Sequence, residues 1–108
     1  LADAVAARLP QGFFGAVVSA DDVQHVKPDP EPYLTALARL GTRPQSSVAI
    51  EDSPSGLASA KASGANVVGI PCMSPVEASP GLSRLPDAHH LSDQVLARIA
   101  AGEVIDLL

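Results

Sequence analysis

Two features of this 108-residue chain could do chemistry. One is an acidic pair, Glu51-Asp52, which ends the apolar run Val48-Ala49-Ile50 and is followed at once by Ser53-Pro54. The other is Lys27, at the head of the turn Lys27-Pro28-Asp29-Pro30, whose prolines fix φ and make the segment stiff. Carboxylates are hard oxygen ligands of the kind Mg²⁺ prefers. A lysine is a point charge able to neutralise a phosphoryl group or its attacking oxygen. The combination suits phosphoryl chemistry if the fold brings both features to one pocket, although a single carboxylate pair does not make a complete site.

The elements that must position them follow from hydrophobic period and turn residues. Leu1, Val5 and Leu9 have helical spacing with a stop at Pro10 and Gly12, and Ala16–Ser19 reads as a short buried strand ending near Asp21-Asp22. From Glu31, the spacing Tyr33, Leu34, Leu37, Leu40 marks an amphipathic helix closed by Gly41. Ser47–Glu51 is a second strand. A helix from Pro54 to Ser63 follows, capped by Ser53, carrying Leu57, Ala58 and Ala60–Ala62, and ended by Gly64. Asn66–Ile70 is a third strand. Strand, helix, strand, helix, strand implies parallel crossovers, so the class is α/β, with the acidic pair at a carboxyl strand end where open sheets bind ligands. Cys72–Pro86, with three prolines and a glycine, reads as a loop. Ala88–Leu91 reads as a short edge strand, Ser92 caps a last helix with Val95, Leu96 and Ile99 on one face, and the apolar end of the tail 103–108 is expected to pack.

Composition narrows the partners. With 46% hydrophobic and 18% charged residues the chain reads as a folded soluble domain whose core is aliphatic, since aromatics make up only 3%. The net charge of -5, with basic residues scattered, leaves no footprint for nucleic acid or an anionic membrane. The single cysteine, Cys72, fits a cytoplasmic setting as an inert thiol, and no run is long enough to span a bilayer. His25, His89 and His90 lack partners at metal-ligand spacing and read as surface or packing residues. For Glu51-Asp52 the alternative is an acidic helix N-terminus stabilised by the dipole, for Lys27 a solvated loop lysine, and for Ser53 a simple N-cap. Gly56 reads as a close-packing position and Gly64 as a helix cap.

The run Val26-Lys27-Pro28-Asp29-Pro30-Glu31-Pro32-Tyr33, followed by Leu40-Gly41, Pro44, Val48 through Gly56 and Ala60-Lys61-Ala62-Ser63-Gly64, resembles the haloacid dehalogenase (HAD) superfamily, in its phosphatase and β-phosphoglucomutase-like branch. The resemblance runs from about Phe13 to Ile70, and a two-part pattern at this spacing is far more specific than a lone glycine motif. It implies a Rossmann-like core and Mg²⁺-dependent transfer of phosphoryl groups from a small phosphorylated metabolite through an aspartyl-phosphate. By the same resemblance, Lys27 contacts the nucleophilic aspartate and the phosphoryl oxygens, Asp52 is a Mg²⁺ ligand, Glu51 supports or joins that coordination, and Ser53 orients the acidic loop beside the phosphate. Dehalogenation proper is disfavoured, because that chemistry does not require the metal that Glu51-Asp52 implies.

One departure is large. The family's Asp-x-Asp-Gly-Thr segment, with its nucleophile and acid/base, does not occur in the 108 residues. The second-motif Ser or Thr and the cap domain are also missing, since Ser19 lies in the strand leading to Lys27. The expectation is therefore the carboxyl-terminal part of a HAD-like core, inactive alone. A reading from a different class is a non-catalytic α/β module that associates, with itself or another chain, through an unpaired sheet edge.

Overall fold

The structure, a computed structural model, describes residues 27–71 and 75–108. The expected helix Leu1–Leu9, the strand Ala16–Ser19, the acids Asp21 and Asp22, His25 and Cys72 lie outside the described residues. Helix α1 spans Glu31–Leu40, strand β1 Val48–Glu51, helix α2 Pro54–Ser63, strand β2 Asn66–Gly69, strand β3 Leu82–Arg84 and helix α3 Asp93–Ala100. The sheet order is β1-β2-β3 and both pairings are parallel, with Ala49 opposite Val67, Glu51 opposite Gly69 and Val68 opposite Ser83.

Side chains alternate across this sheet, and the alternation decides which residues face which helices. On one face Ala49, Val67 and Leu82 join Tyr33 of α1, Ala60 of α2 and Val76 in a buried cluster, with Leu57 and Ala65 packed against it. On the other face Val68 joins Leu85 and Ile99 of α3, flanked by Val48, Ile50, Ile70, Leu91, Val95 and Ile105. The arrangement is a parallel sheet between two helical layers, the α/β class the residue pattern implies.

Both helices that flank the acidic strand start and stop where local chemistry requires. Ser53, in extended backbone, accepts the Gly56 N–H as N-cap of α2, and Pro54 occupies the first turn. Gly41 and Gly64 close α1 and α2 in the left-handed region, at φ 66° and 87°, where a Cβ is disfavoured. The buried faces differ from those the periodicity suggests. In α1 they are Pro32, Tyr33, Ala36 and Leu37, while Leu34 is exposed. In α2 they are Gly56, Ser59, Ala60 and Ser63, while Ala58 and Ala62 are exposed. Two hydroxyls sit on the inner face because their hydrogen bonds are made inside, which a count of apolar residues does not detect.

The carboxyl-terminal third departs from expectation in two places. Within the expected loop Cys72–Pro86, Leu82–Arg84 forms a strand, because pairing with β2 overrides the flanking prolines in a run too short to show a period. Ala88–His90 is a 3₁₀ turn rather than an edge strand, started by the Asp87 carboxylate accepting the His89 N–H at 2.9 Å. The tail runs beside β3: Arg84 N donates to the Ile105 carbonyl and Leu107 N to the Arg84 carbonyl, and the Arg84 guanidinium grips Asp106 at 3.0 Å. Only Ile105 of the tail packs inward, and Val104, Leu107 and Leu108 stay exposed.

Leu85 follows β3 directly and is fully buried against Val68 and Ile99. Replacing Leu85 by Ala should lower the unfolding free energy by about 3 kcal/mol. Urea unfolding of the chain checks this, and a loss below about 1 kcal/mol would show that this layer is not a packed core.

Candidate active site

Strand alternation separates the two acids. Glu51 has the parity of Ala49 and turns into the α1–α2 layer, where its side chain is 6% exposed; Asp52, the next residue, is exposed at the carboxyl edge of the sheet. A buried carboxylate needs a counter-charge and donors to offset its desolvation. Glu51 has both. Lys27 Nζ donates to Glu51 Oε2 at 2.6 Å, and the Tyr33 hydroxyl donates to the same oxygen. The other oxygen, Oε1, rests over Gly56, where an added Cβ would sit 1.9 Å away. Gly56 is thus a close-packing position, and the group it admits is the Glu51 carboxylate.

The lysine is held as tightly as its partner. The Lys27 side chain is 14% exposed, with Nζ 5.7 Å from the centre of the Tyr33 ring, a distance that allows cation–π attraction. Within the turn, Asp29 Oδ1 accepts the Glu31 N–H at 2.9 Å, an Asx turn that leads the chain into α1. An ammonium has three donors, and the contact with Glu51 uses one of them. The Asp52 side chain is exposed, and it makes no hydrogen bond or ion pair with another described residue.

Ser53 stands where the sequence places it, half-buried at the start of α2. Its oxygen accepts the Gly56 N–H at 3.1 Å, which leaves the O–H as a donor beside Asp52. Lys27, Glu51, Asp52 and Ser53 therefore share one end of the sheet, with Lys27 and Glu51 in contact. His89 and His90 lie elsewhere, exposed on the 3₁₀ turn, with His90 Nδ1 2.9 Å from Asp87; that hydrogen bond holds the Asp87 carboxyl below its ordinary range. No group of three or more His, Cys, Asp or Glu with metal-holding geometry occurs among the described residues.

Tyr33 is the member of this site that sequence reasoning misses. Its spacing marks it as one of several apolar residues of α1, and only the polar tip of a tyrosine placed six residues after the lysine signals another use. Burial, reinforced by the hydrogen bond to Glu51 and the charges of Glu51 and Asp52, drives the phenol far above its ordinary range, so it stays a neutral donor. A phenol whose folded pKa exceeds its unfolded value stabilises the fold below the unfolded pKa of about 10, and that contribution is lost as pH rises further.

Tyr33 is the only tyrosine of the 108 residues, so its titration can be read directly. The folded chain should show no phenolate absorption up to about pH 11, whereas the denatured chain should titrate near 10. A native titration at the denatured value would show that Tyr33 is not bound to Glu51.

A family model described as haloacid dehalogenase-like hydrolase matches residues 7–70. Pyrophosphatase PpaX of Bacillus velezensis is 41% identical over 58 residues, which are 54% of this chain and 27% of that protein. Validoxylamine A 7'-phosphate phosphatase of Streptomyces hygroscopicus subsp. limoneus is 43% identical over 54 residues, 50% of this chain and 25% of that protein. Among solved structures, a candidate beta-phosphoglucomutase from Bacteroides vulgatus superposes with a TM-score of 0.52 at 30% identity, covering 82% of this chain and 30% of that one. The chain spans about a quarter of the length of the curated relatives it matches. No helix among the described residues is long and apolar enough to cross a membrane. The parallel sheet with its acidic strand end, the lysine turn and the match over more than half of the sequence agree, and the chain belongs to the haloacid dehalogenase-like hydrolases.

Proposed function

We propose that this chain supplies one wall of a Mg²⁺-dependent phosphoryl-transfer site, in a phosphatase or phosphomutase acting on a small phosphorylated metabolite. The observation behind the proposal is the convergence at one sheet edge of Lys27, fixed 2.6 Å from Glu51, with the exposed carboxylate of Asp52. The activities for which the similar phosphatases are named point the same way.

The donor chemistry fits the metal. Mg²⁺ takes hard oxygen ligands, commonly one or two carboxylates completed by water and phosphate oxygens, and Asp52 offers an exposed carboxylate of that kind. Glu51 Oε2 already accepts from Lys27 and Tyr33, so in this reading Asp52 is the ligand and Glu51 chiefly sets the position of Lys27. When bound, Mg²⁺ would offset charge on the phosphoryl oxygens. The chain's own residues do the rest. Lys27 presents its remaining donors to the phosphoryl group, a fixed positive charge that favours the charge developing on those oxygens. Ser53 offers its hydroxyl beside it, and the first turn of α2 adds positive potential at the same edge. The transfer is proposed to pass through an aspartyl-phosphate, with a nucleophile outside these 108 residues, which contain no Asp-x-Asp-Gly-Thr segment.

A second reading, association through an open sheet edge, gains no support at β3, whose outer side is paired with residues 105–107 of the same chain. In the full-length gene product, aryl phosphate hydrolysis should require Mg²⁺, and Asp52→Asn and Lys27→Ala should each lower kcat on the order of a hundredfold. Undiminished turnover in a folded variant would remove the role given to that residue. The 108-residue chain alone should not hydrolyse the same substrate at any Mg²⁺ concentration, and reproducible turnover by it would contradict the assignment of the nucleophile to another segment.

A further inference from the structure

Ser59 is fully buried in the middle of α2, and its hydroxyl leaves the helix. A serine inside a helix ordinarily turns its hydroxyl back to a carbonyl of the preceding turn, and Ser63 in the same helix does so, donating to the Ala60 carbonyl at 2.6 Å. Ser59 instead donates to the carbonyl of Asp29 at 2.6 Å, thirty residues away in the lysine turn. Few torsions separate that carbonyl from Lys27. Pro28 and Pro30 fix φ on either side, and Asp29 Oδ1 is already tied to the Glu31 N–H. Anchoring the Asp29 carbonyl to α2 therefore anchors the backbone that carries Lys27.

We infer that Ser59 is a positioning residue for Lys27: its hydroxyl pins the lysine turn to the helix that also presents Ser53 and Gly56, so that Lys27 and the start of α2 move as one body. The inference rests on the function proposed above for Lys27, but the restraint it describes exists whether or not that function holds. The Lys27–Glu51–Tyr33 contacts fix the end of the side chain, and the Ser59 bond fixes the main chain at its base. Without the latter, the ammonium can keep its contact with Glu51 only by following a loosened turn. Misplacement of a catalytic group by about an ångström can cost on the order of a hundredfold in rate, so partial loosening is expected to cost about tenfold.

The test uses the full-length gene product with Ser59→Ala and Ser59→Cys, the second of which keeps the side-chain shape, is slightly larger and offers only a weak donor. The rate of reductive methylation of each lysine is followed by peptide mapping, with Lys61, exposed on the outer face of α2, as internal reference. Both variants should methylate Lys27 at least about fivefold faster relative to Lys61 than the parent does, and should lower kcat about tenfold with KM changed less than about twofold. Unchanged Lys27 labelling in both folded variants would overturn the inference, and so would a normal rate and labelling pattern in Ser59→Cys, which would make Ser59 a packing residue. If Lys27 labelling rises while parent and variants alike hydrolyse no phosphate ester, the restraint stands and the proposed function fails.

Discussion

The structure depends on a carboxylate taken out of water. Glu51 ends an apolar strand and, by the alternation of that strand, must turn inward between α1 and α2. A charge so placed is tolerable only with a cation and a donor on it, and a missing partner would cost several kcal/mol. The lysine turn, the tyrosine of α1 and the glycine of α2 are each explained by that requirement. Lys27 supplies the charge, Tyr33 the neutral donor, and Gly56 the space in which Oε1 lies. Among the described residues no buried side-chain polar atom is left without a partner.

The same constraint divides labour between adjacent acids. One residue along the strand reverses the direction of the side chain, so Glu51 is consumed by the interior while Asp52 faces out at the edge. The acidic pair of the sequence thus becomes one buried, structural carboxylate and one exposed carboxylate. The close packing of α2 follows as well. Its inner face of Gly56, Ser59, Ala60 and Ser63 has little bulk, which lets the helix lie near the sheet and lets one of its hydroxyls reach the lysine turn.

What was legible in the sequence is what local chemistry determines. The helices starting at Glu31, Pro54 and Asp93, their caps at Gly41, Ser53, Gly64 and Ser92, and the strands around Val48–Ile50 and Asn66–Gly69 are written in turn residues and apolar runs. Strand β3 was not legible, because three residues between prolines acquire strand character only from pairing with β2. Nor was the turn at Ala88–His90, which depends on a side-chain bond from Asp87. In the site, residue types and spacing singled out Lys27, Glu51 and Asp52, and the family resemblance added Ser53. The hydrogen bonds of Tyr33 to Glu51 and of Ser59 to Asp29 were hidden because each residue has the spacing of a packing residue and finds its partner eighteen or thirty positions away.

In the function proposed for this chain, Lys27 and Asp52 flank one phosphoryl site from a single sheet edge. A crystal structure of the full-length gene product with Mg²⁺ and a fluoride mimic of the phosphoryl group tests it most directly. An Asp52 carboxylate oxygen should lie about 2.1 Å from the metal, and Lys27 Nζ about 2.9 Å from a fluoride while still bonded to Glu51. A metal bound away from Asp52, or a mimic out of reach of Lys27, would contradict it.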